Sequence, residues 1–237
     1  MNECVNPHDA VPADAPIDTE DPIADARAVM RWAHVRFGTD LCLTASFGDA
    51  TLVHVAQSVI PGIEVTLLDT GYLFAETEWF ADHLRDRFDL RLRVVRPAAD
   101  LDGDLWRSDT ARCCAERKVE PLGRALEGRS AWVTGLRRDD TGSRRTTALV
   151  HLDQDRNIVK INPLAGWSDE HVVRYRLDHD LPEHPLADRN YTSIGCWPCT
   201  RPATDPSDPR SGRWSGTDKT ECGLHTLTIG TAVEVSR

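Results

Sequence analysis

Leu41-Cys42-Leu43-Thr44-Ala45-Ser46-Phe47-Gly48-Asp49-Ala50-Thr51 decides the fold. Its first five residues form a short apolar run of the buried-strand type and its last six a polar turn, after which Leu52, Val53, Val55 and Ala56 recur at helical spacing. Strand, polar turn and helix make the first half of a βαβ unit, and the pattern continues outward. Residues 63–68 read as a second strand ending at Asp69-Thr70-Gly71. Trp79, Phe80, His83 and Leu84 mark a helix, 92–95 a third strand, 114–126 a helical region restarted at Pro121, and 131–134 a fourth strand. Parallel strands joined by helices give an α/β fold with an open, mostly parallel, doubly wound sheet, and such sheets bind ligands beyond the carboxyl ends of their strands. The polar loops 46–51, 69–75 and 135–145 all fall at those ends.

Beyond them, 148–152 and 158–161 read as a strand pair, Ser168 as the cap of a helix stopped by Pro182 and Pro185, and 195–216 as loop. We expect an acidic, poorly ordered arm over 1–27, a nucleotide-binding α/β domain over 28–195, and a cysteine-containing loop and tail over 196–237 within the same structural unit. Residues 1–27 carry seven acids against Arg27 alone and hold −6 of the net charge of −10. An acidic chain argues against duplex nucleic acid as a partner, and no apolar run is long enough to span a membrane. Residues 1–15 lack a basic segment followed by an apolar run, so the expected compartment is the cytoplasm and the seven cysteines are expected to be reduced thiols.

Cys113-Cys114 and Cys196-Trp197-Pro198-Cys199, with 81 residues between the pairs, form a quartet that packing alone explains poorly, whereas Cys42 suits a buried apolar site. A thioredoxin-like redox pair at Cys196 and Cys199 needs a helix opening at the first cysteine, and Pro202, Pro206 and Pro209 follow too closely. Four thiolates suit zinc or an iron–sulfur cluster. Adjacent Cys113 and Cys114 strain a single zinc shell, while a cluster offers them separate irons.

Lys118, Arg137, Arg138, Arg144, Arg145, Arg210 and Arg213 form a cationic group at the expected sheet edge and in the loop, suited to bidentate contacts with phosphate or sulfate. Singly, each is as readily a solvated charge, and Arg137-Arg138 beside Asp139-Asp140 can pair with itself. On an α-helix Lys118 shares a face with Cys114. Cys222 has Lys219 and His225 within three residues and Gly212, Gly216 and Gly223 nearby, the setting of a thiolate nucleophile. The loop 46–51, with one glycine and no lysine, is a weak phosphate loop.

Leu68-Asp-Thr-Gly71, Cys113-Cys114-x-x-Arg117-Lys118, Thr134-Gly-Leu-Arg137-Arg138, Val159-Lys-Ile-Asn162, Ser193-Ile-Gly-Cys196-x-Pro-Cys199, Gly212-Arg-Trp214 and Lys219-Thr-Glu-Cys222-Gly-Leu-His225 together resemble the assimilatory sulfonucleotide reductases, in their thioredoxin-dependent bacterial form acting on adenosine 5′-phosphosulfate (APS). The resemblance spans about residues 40–226. It implies an adenine nucleotide α-hydrolase-like fold, one 4Fe-4S cluster on Cys113, Cys114, Cys196 and Cys199, and Cys222 as the nucleophile. Lys118, Arg144, Arg210, Arg213 and His225 match positions facing the phosphosulfate or nucleotide, and Ser46 and Gly135 match the adenosine side. It further implies reduced thioredoxin or a glutaredoxin-like protein as the electron donor, and leaves homo-oligomerisation open. Relatives acting on the 3′-phosphorylated nucleotide (PAPS) generally lack the quartet. Two departures stand out: the loop 46–51 is one residue shorter than the family's usual loop, and the chain runs twelve residues past His225.

Overall fold

The computed structural model describes residues 12–98, 101, 103–205, 207–214, 219 and 221–225. Six strands, β1 (Leu41–Thr44), β2 (Glu64–Leu68), β3 (Arg91–Val95), β4 (Ala131–Val133), β5 (Val150–Asp153) and β6 (Ile158–Ile161), form one sheet in the order β3-β2-β1-β4-β6-β5. All neighbours are parallel except β5, which closes the edge antiparallel to β6. The chain winds outward from β1 through β2 to β3 and then crosses to β4 on the opposite side of β1. The strand order therefore reverses between β1 and β4, and the crevice at their carboxyl ends is where such a fold takes its ligand.

The helices are α1 (Pro22–Phe37), α2 (Thr51–Val59), α3 (Ala75–Phe88), α4 (Leu105–Ser108), α5 (Thr110–Cys114), α6 (Glu120–Leu126) and α7 (Asp169–Asp178). Strand alternation sorts the two faces. Leu41 and Leu43 with Ala131 and Val133 face the main core, which takes Ala26, Val29, Met30 and Ala33 of α1, Val53 and Ala56 of α2, and Phe80 and Leu84 of α3. Cys42 and Trp132 face the other way, onto Leu122 and Leu126 of α6. Burial pushes the Cys42 thiol up, as suits an apolar packing residue.

The expectation of a poorly ordered arm over 1–27 fails for its second half; residues 1–11 lie outside the described residues. Asp21 accepts from the N–H groups of Ile23 and Ala24, Pro22 opens α1, and Asp25 is buried, accepting from Thr19 N and Oγ1 at 2.8 Å. Ion pairs tie the preceding segment down, Asp18 to Arg138 at 2.6 Å and Asp14 to Arg36 at 3.7 Å. Asp14, Asp18, Asp21 and Asp25 thus serve as ion-pair, cap or hydrogen-bond partners, and Glu20 is exposed. The helix over 169–178 ends at Asp178, before the prolines expected to stop it.

Candidate active site

A cleft of about 320 Å³ opens at the β1/β4 switch point, and Ser46, Gly135, Lys118, Arg144, Arg210, Arg213, Cys222 and His225 all line it. Eight residues expected from sequence to share one site thus share one. A larger open depression of about 1170 Å³ adjoins it, with Asp140, Pro209, Arg210, Arg213 and Trp214 in common. Cys222 lines only the smaller cleft.

The turn after β1 supplies Ser46, and Gly135 follows β4, where an added Cβ would meet Leu52 Cδ2 of α2 at 3.3 Å. Asp49 Oδ1 accepts from Thr51 N at 2.6 Å. The chain's own carboxylate therefore stands at the amino end of α2, where a phosphate loop would take its phosphate. The positive charge of the cleft comes instead from the lysine and arginines that line it.

Arg144 is buried and donates through Nη1 to Asp140 at 2.8 Å and through Nε and Nη2 to the two carboxylate oxygens of Glu221, both at 2.9 Å. Arg210 Nη2 lies 3.5 Å from Glu221 Oε2. Arg213 donates through Nη1 to Ser193 Oγ at 3.2 Å and lies 4.6 Å from the Trp214 ring centroid. The guanidinium takes the space a Cβ on Gly195 would need, at 2.3 Å. Burial lowers the pKa of Arg210, as does Arg144 beside it; burial likewise lowers Arg213, as does Arg210 beside it. Such cations are stabilised by an anion. Arg137 also lines the cleft but pairs with Asp140 and Asp169, whereas Arg138 lines only the outer depression and pairs with Asp18. Arg145 is exposed on the rim of the outer depression.

The two cysteine pairs converge. Burial and the mutual repulsion of Cys113 with Cys114, Cys196 and Cys199 push the Cys113 thiol up to about 11, and Cys199 is raised by burial and by Cys196 and Cys114. Thr70 Oγ1 lies 3.2 Å from Cys196 Sγ. No helix opens at Cys196: Trp197–Cys199 is a single 3-10 turn followed by the bridge of Thr200 to Arg213. Among the described residues no three Cys, His, Asp or Glu side chains are placed to hold one metal ion.

Residues Ala115–Val119 form a π turn rather than the expected α-helix. A π turn places residues differently around the axis, and such turns recur at functional sites. Here it lies between the cysteine pair and Pro121 and brings Lys118 into the cleft. Burial opposes the Lys118 charge, but the sulfurs of Cys196, Cys222 and Cys114 outweigh it and hold its pKa above the ordinary value. Lys118 thus faces the quartet and the tail cysteine together.

The two neighbours expected to charge Cys222 have contacts elsewhere as well. Lys219 Nζ donates to Cys114 Sγ at 3.3 Å and to Thr110 O at 3.2 Å. His225 stacks on Trp132 at 5.4 Å, and burial together with Lys160, Arg144, Arg156 and Arg210 keeps it neutral. Trp132, in turn, donates from Nε1 to Thr44 Oγ1 and has Lys160 Nζ 4.6 Å from its ring centroid. Burial lowers the Lys160 pKa to about 8. Glu221, Ser193, Gly195 and Trp132 are site residues to which sequence reasoning gave no role, though the first three sat inside motifs that drew attention; Asp140 pairs with Arg137 as the local sequence allows, and also with Arg144.

Residues 40–202 match the phosphoadenosine phosphosulfate reductase domain. The chain belongs to that family. Among its relatives, the adenosine 5′-phosphosulfate reductase of Streptomyces coelicolor is 43% identical over 85% of this chain and 89% of its own. That of Mycobacterium tuberculosis is 41% identical with the same shares. The phosphoadenylyl-sulfate (PAPS) reductase of Candida auris superposes with a TM-score of 0.66 at 26% identity, over 75% of this chain and 90% of that one. Candida glabrata FMN adenylyltransferase superposes at 0.58 with 15% identity over 84% of this chain and 74% of its own, a likeness of fold alone. The α/β, mostly parallel sheet expected from sequence is thereby confirmed. No described helix is long and apolar enough to cross a membrane.

Proposed function

We propose that this reductase reduces APS to sulfite and AMP, the reductive step of sulfate assimilation, with Cys222 as nucleophile. The observation that carries the reading is the convergence of Cys222, Lys118, Arg144, Arg210 and Arg213 on one cleft at the switch point of a nucleotide-binding sheet. Arg213 Nε and His225 Nδ1 are buried there without hydrogen-bond partners among the described residues, as suits a site shaped for a polar ligand.

The Cys222 thiolate attacks the sulfate sulfur, the bond from that sulfur to the bridging oxygen breaks, and AMP leaves with the electron pair, giving an S-sulfocysteine. Attack of an anion on an anion is repulsive. Lys118 and the arginines offset that repulsion and stabilise charge growing on the leaving phosphate. A thiolate of reduced thioredoxin, or of a glutaredoxin-like protein, then attacks the Cys222 sulfur and releases sulfite. The reductant's second thiol resolves the mixed disulfide and restores Cys222. Ser46 and Gly135 bound the adenosine side.

The quartet fits a 4Fe-4S cluster. Cys113, Cys114, Cys196 and Cys199 lie near enough for the Cys113 and Cys199 thiol pKa values to be raised by their neighbours, a crowding of four sulfurs that bound iron would relieve. Cys113, Cys114, Cys196 and Cys199 would hold it, and it would supply local electrostatics beside Lys118. Binding iron would displace the protons that burial and repulsion hold on the thiols. The resemblance associates the quartet with APS rather than PAPS.

Turnover tests the reading. With reduced thioredoxin, APS should give sulfite and AMP, with PAPS a poor competitor. Cys222→Ser should cut turnover by about 10³-fold or more while leaving the visible absorption of the cluster in place. An active Cys222→Ser enzyme would refute the nucleophile, and preferential turnover of PAPS would refute the substrate.

A further inference from the structure

Glu221, the residue before Cys222, makes a contact of the kind the cleft offers its substrate. Its two oxygens accept from Nε and Nη2 of Arg144, both at 2.9 Å, and Oε2 lies 3.5 Å from Arg210 Nη2. This two-pronged arginine geometry is the one a phosphate or sulfate takes. Asp140 meanwhile holds Nη1 of Arg144 at 2.8 Å, fixing the guanidinium and leaving its Nε/Nη2 edge for exchange. Arg144 is 9% and Glu221 17% exposed in their side chains, so water does little to screen the pair.

We propose that Glu221 is an internal stand-in for the substrate's anion, filling that edge of Arg144 until an incoming oxyanion displaces it and, with it, the backbone that carries Cys222. The proposal rests on the assignment of Arg144 and Arg210 to the phosphosulfate. Its physical ground is that a buried guanidinium stripped of its anion is costly. Exchange of carboxylate for oxyanion keeps the arginine paired throughout, and a neutral ligand lacks the charge to make the exchange. It also links occupancy of the site to the nucleophile, because displaced and displacing groups are one residue from Cys222.

The test needs no substrate. Anaerobically purified protein is treated with iodoacetamide under rising sodium sulfate, with sodium chloride at equal ionic strength as control, and alkylation of Cys222 is followed by peptide mapping. Sulfate should speed Cys222 alkylation several-fold in the wild type and in Glu221→Asp. Glu221→Gln should react fast without sulfate and gain little from it. A wild-type rate that sulfate leaves unchanged or slows overturns the proposal, even if the variants fail to fold. So does Glu221→Gln that reacts at the wild-type rate with the wild-type response, which would make Glu221 a fixed tie. Loss of the sulfate response with APS turnover intact removes this proposal alone, whereas a sulfate response in a protein that does not turn over APS removes only the reductase reading.

Discussion

A thiolate can approach a phosphosulfate only where fixed cations offset the repulsion, and the residues that face Cys222 satisfy that requirement unevenly. Lys118 faces both Cys222 and the quartet, and its charge is upheld by sulfurs on both sides. Lys118→Ala should therefore lower kcat by about 10²–10³-fold, the loss expected when one stabilising charge is removed from an enclosed site. Single-turnover kinetics with the cluster's absorption as control would check it; unchanged kcat would place Lys118 outside the chemistry. His225 is pushed toward its neutral form by burial and the surrounding cations, unlike Lys118. Sequence proximity assigned Lys219 and His225 to Cys222, but the chain turns Lys219 toward Cys114. The ion pair of Glu221 with Arg144 spans 77 residues of sequence and is invisible to any local pattern.

At the scale of elements, the loop holding Arg213 depends on one close approach. A Cβ on Gly212 would stand 2.1 Å from Arg201 O, backbone that cannot yield as a side chain does. Gly212→Ala should break the bridge of Thr200 to Arg213, costing about 1–3 kcal/mol and weakening substrate binding. Denaturant unfolding together with KM would register both. The junction of α3 with the loop after α7 predicts a pH dependence. Leu186 N–H donates to His184 Nδ1 at 3.1 Å, so the imidazole proton sits on Nε2, 3.0 Å from Thr77 Oγ1. Burial lowers the His184 pKa to about 4. The folded state then binds fewer protons than the unfolded chain between about 6.5 and 4, so stability is full above that window and is lost as pH falls through it. Up to about 3 kcal/mol attaches to this histidine; His151, also lowered to about 4 by burial, titrates in the same window. His184→Asn should flatten part of the acid limb, and an unchanged slope of stability against pH would contradict the assignment. Strand positions were legible because apolar runs ended in polar turns. The π turn after Cys114 was not legible, since π and α turns demand the same residue types. The start of α1 was legible in Asp21-Pro22, a cap followed by proline at the first helical turn, yet the density of acids and prolines over 1–27 masked it.

Across the whole molecule, the sheet reversal between β1 and β4 gathers loops from distant parts of the chain into one cleft, and the segment at 113–114 packs beside the loop at 196–199, a junction that a bound cluster would tie. If a cluster makes that tie, chelating its iron should lower the melting temperature and loosen the site together, as loss of a bound metal removes folding free energy. Unchanged melting after complete iron removal would contradict a structural contribution from the quartet. The parallel architecture and its ligand crevice follow from alternating strand and helix patterns, whereas which arginines reach the crevice depends on long-range pairing: Arg138 pairs with Asp18 outside it, and Arg137, Arg144, Arg210 and Arg213 line it. The central claim is that Cys222 takes the sulfonyl group from APS. Intact-mass analysis and peptide mapping of anaerobic protein incubated with APS, and separately with PAPS, in the absence of any reductant, address it directly. One sulfonate on Cys222 from APS alone is the predicted result; an adduct only from PAPS, or none from either with iron bound and the fold intact, would contradict it.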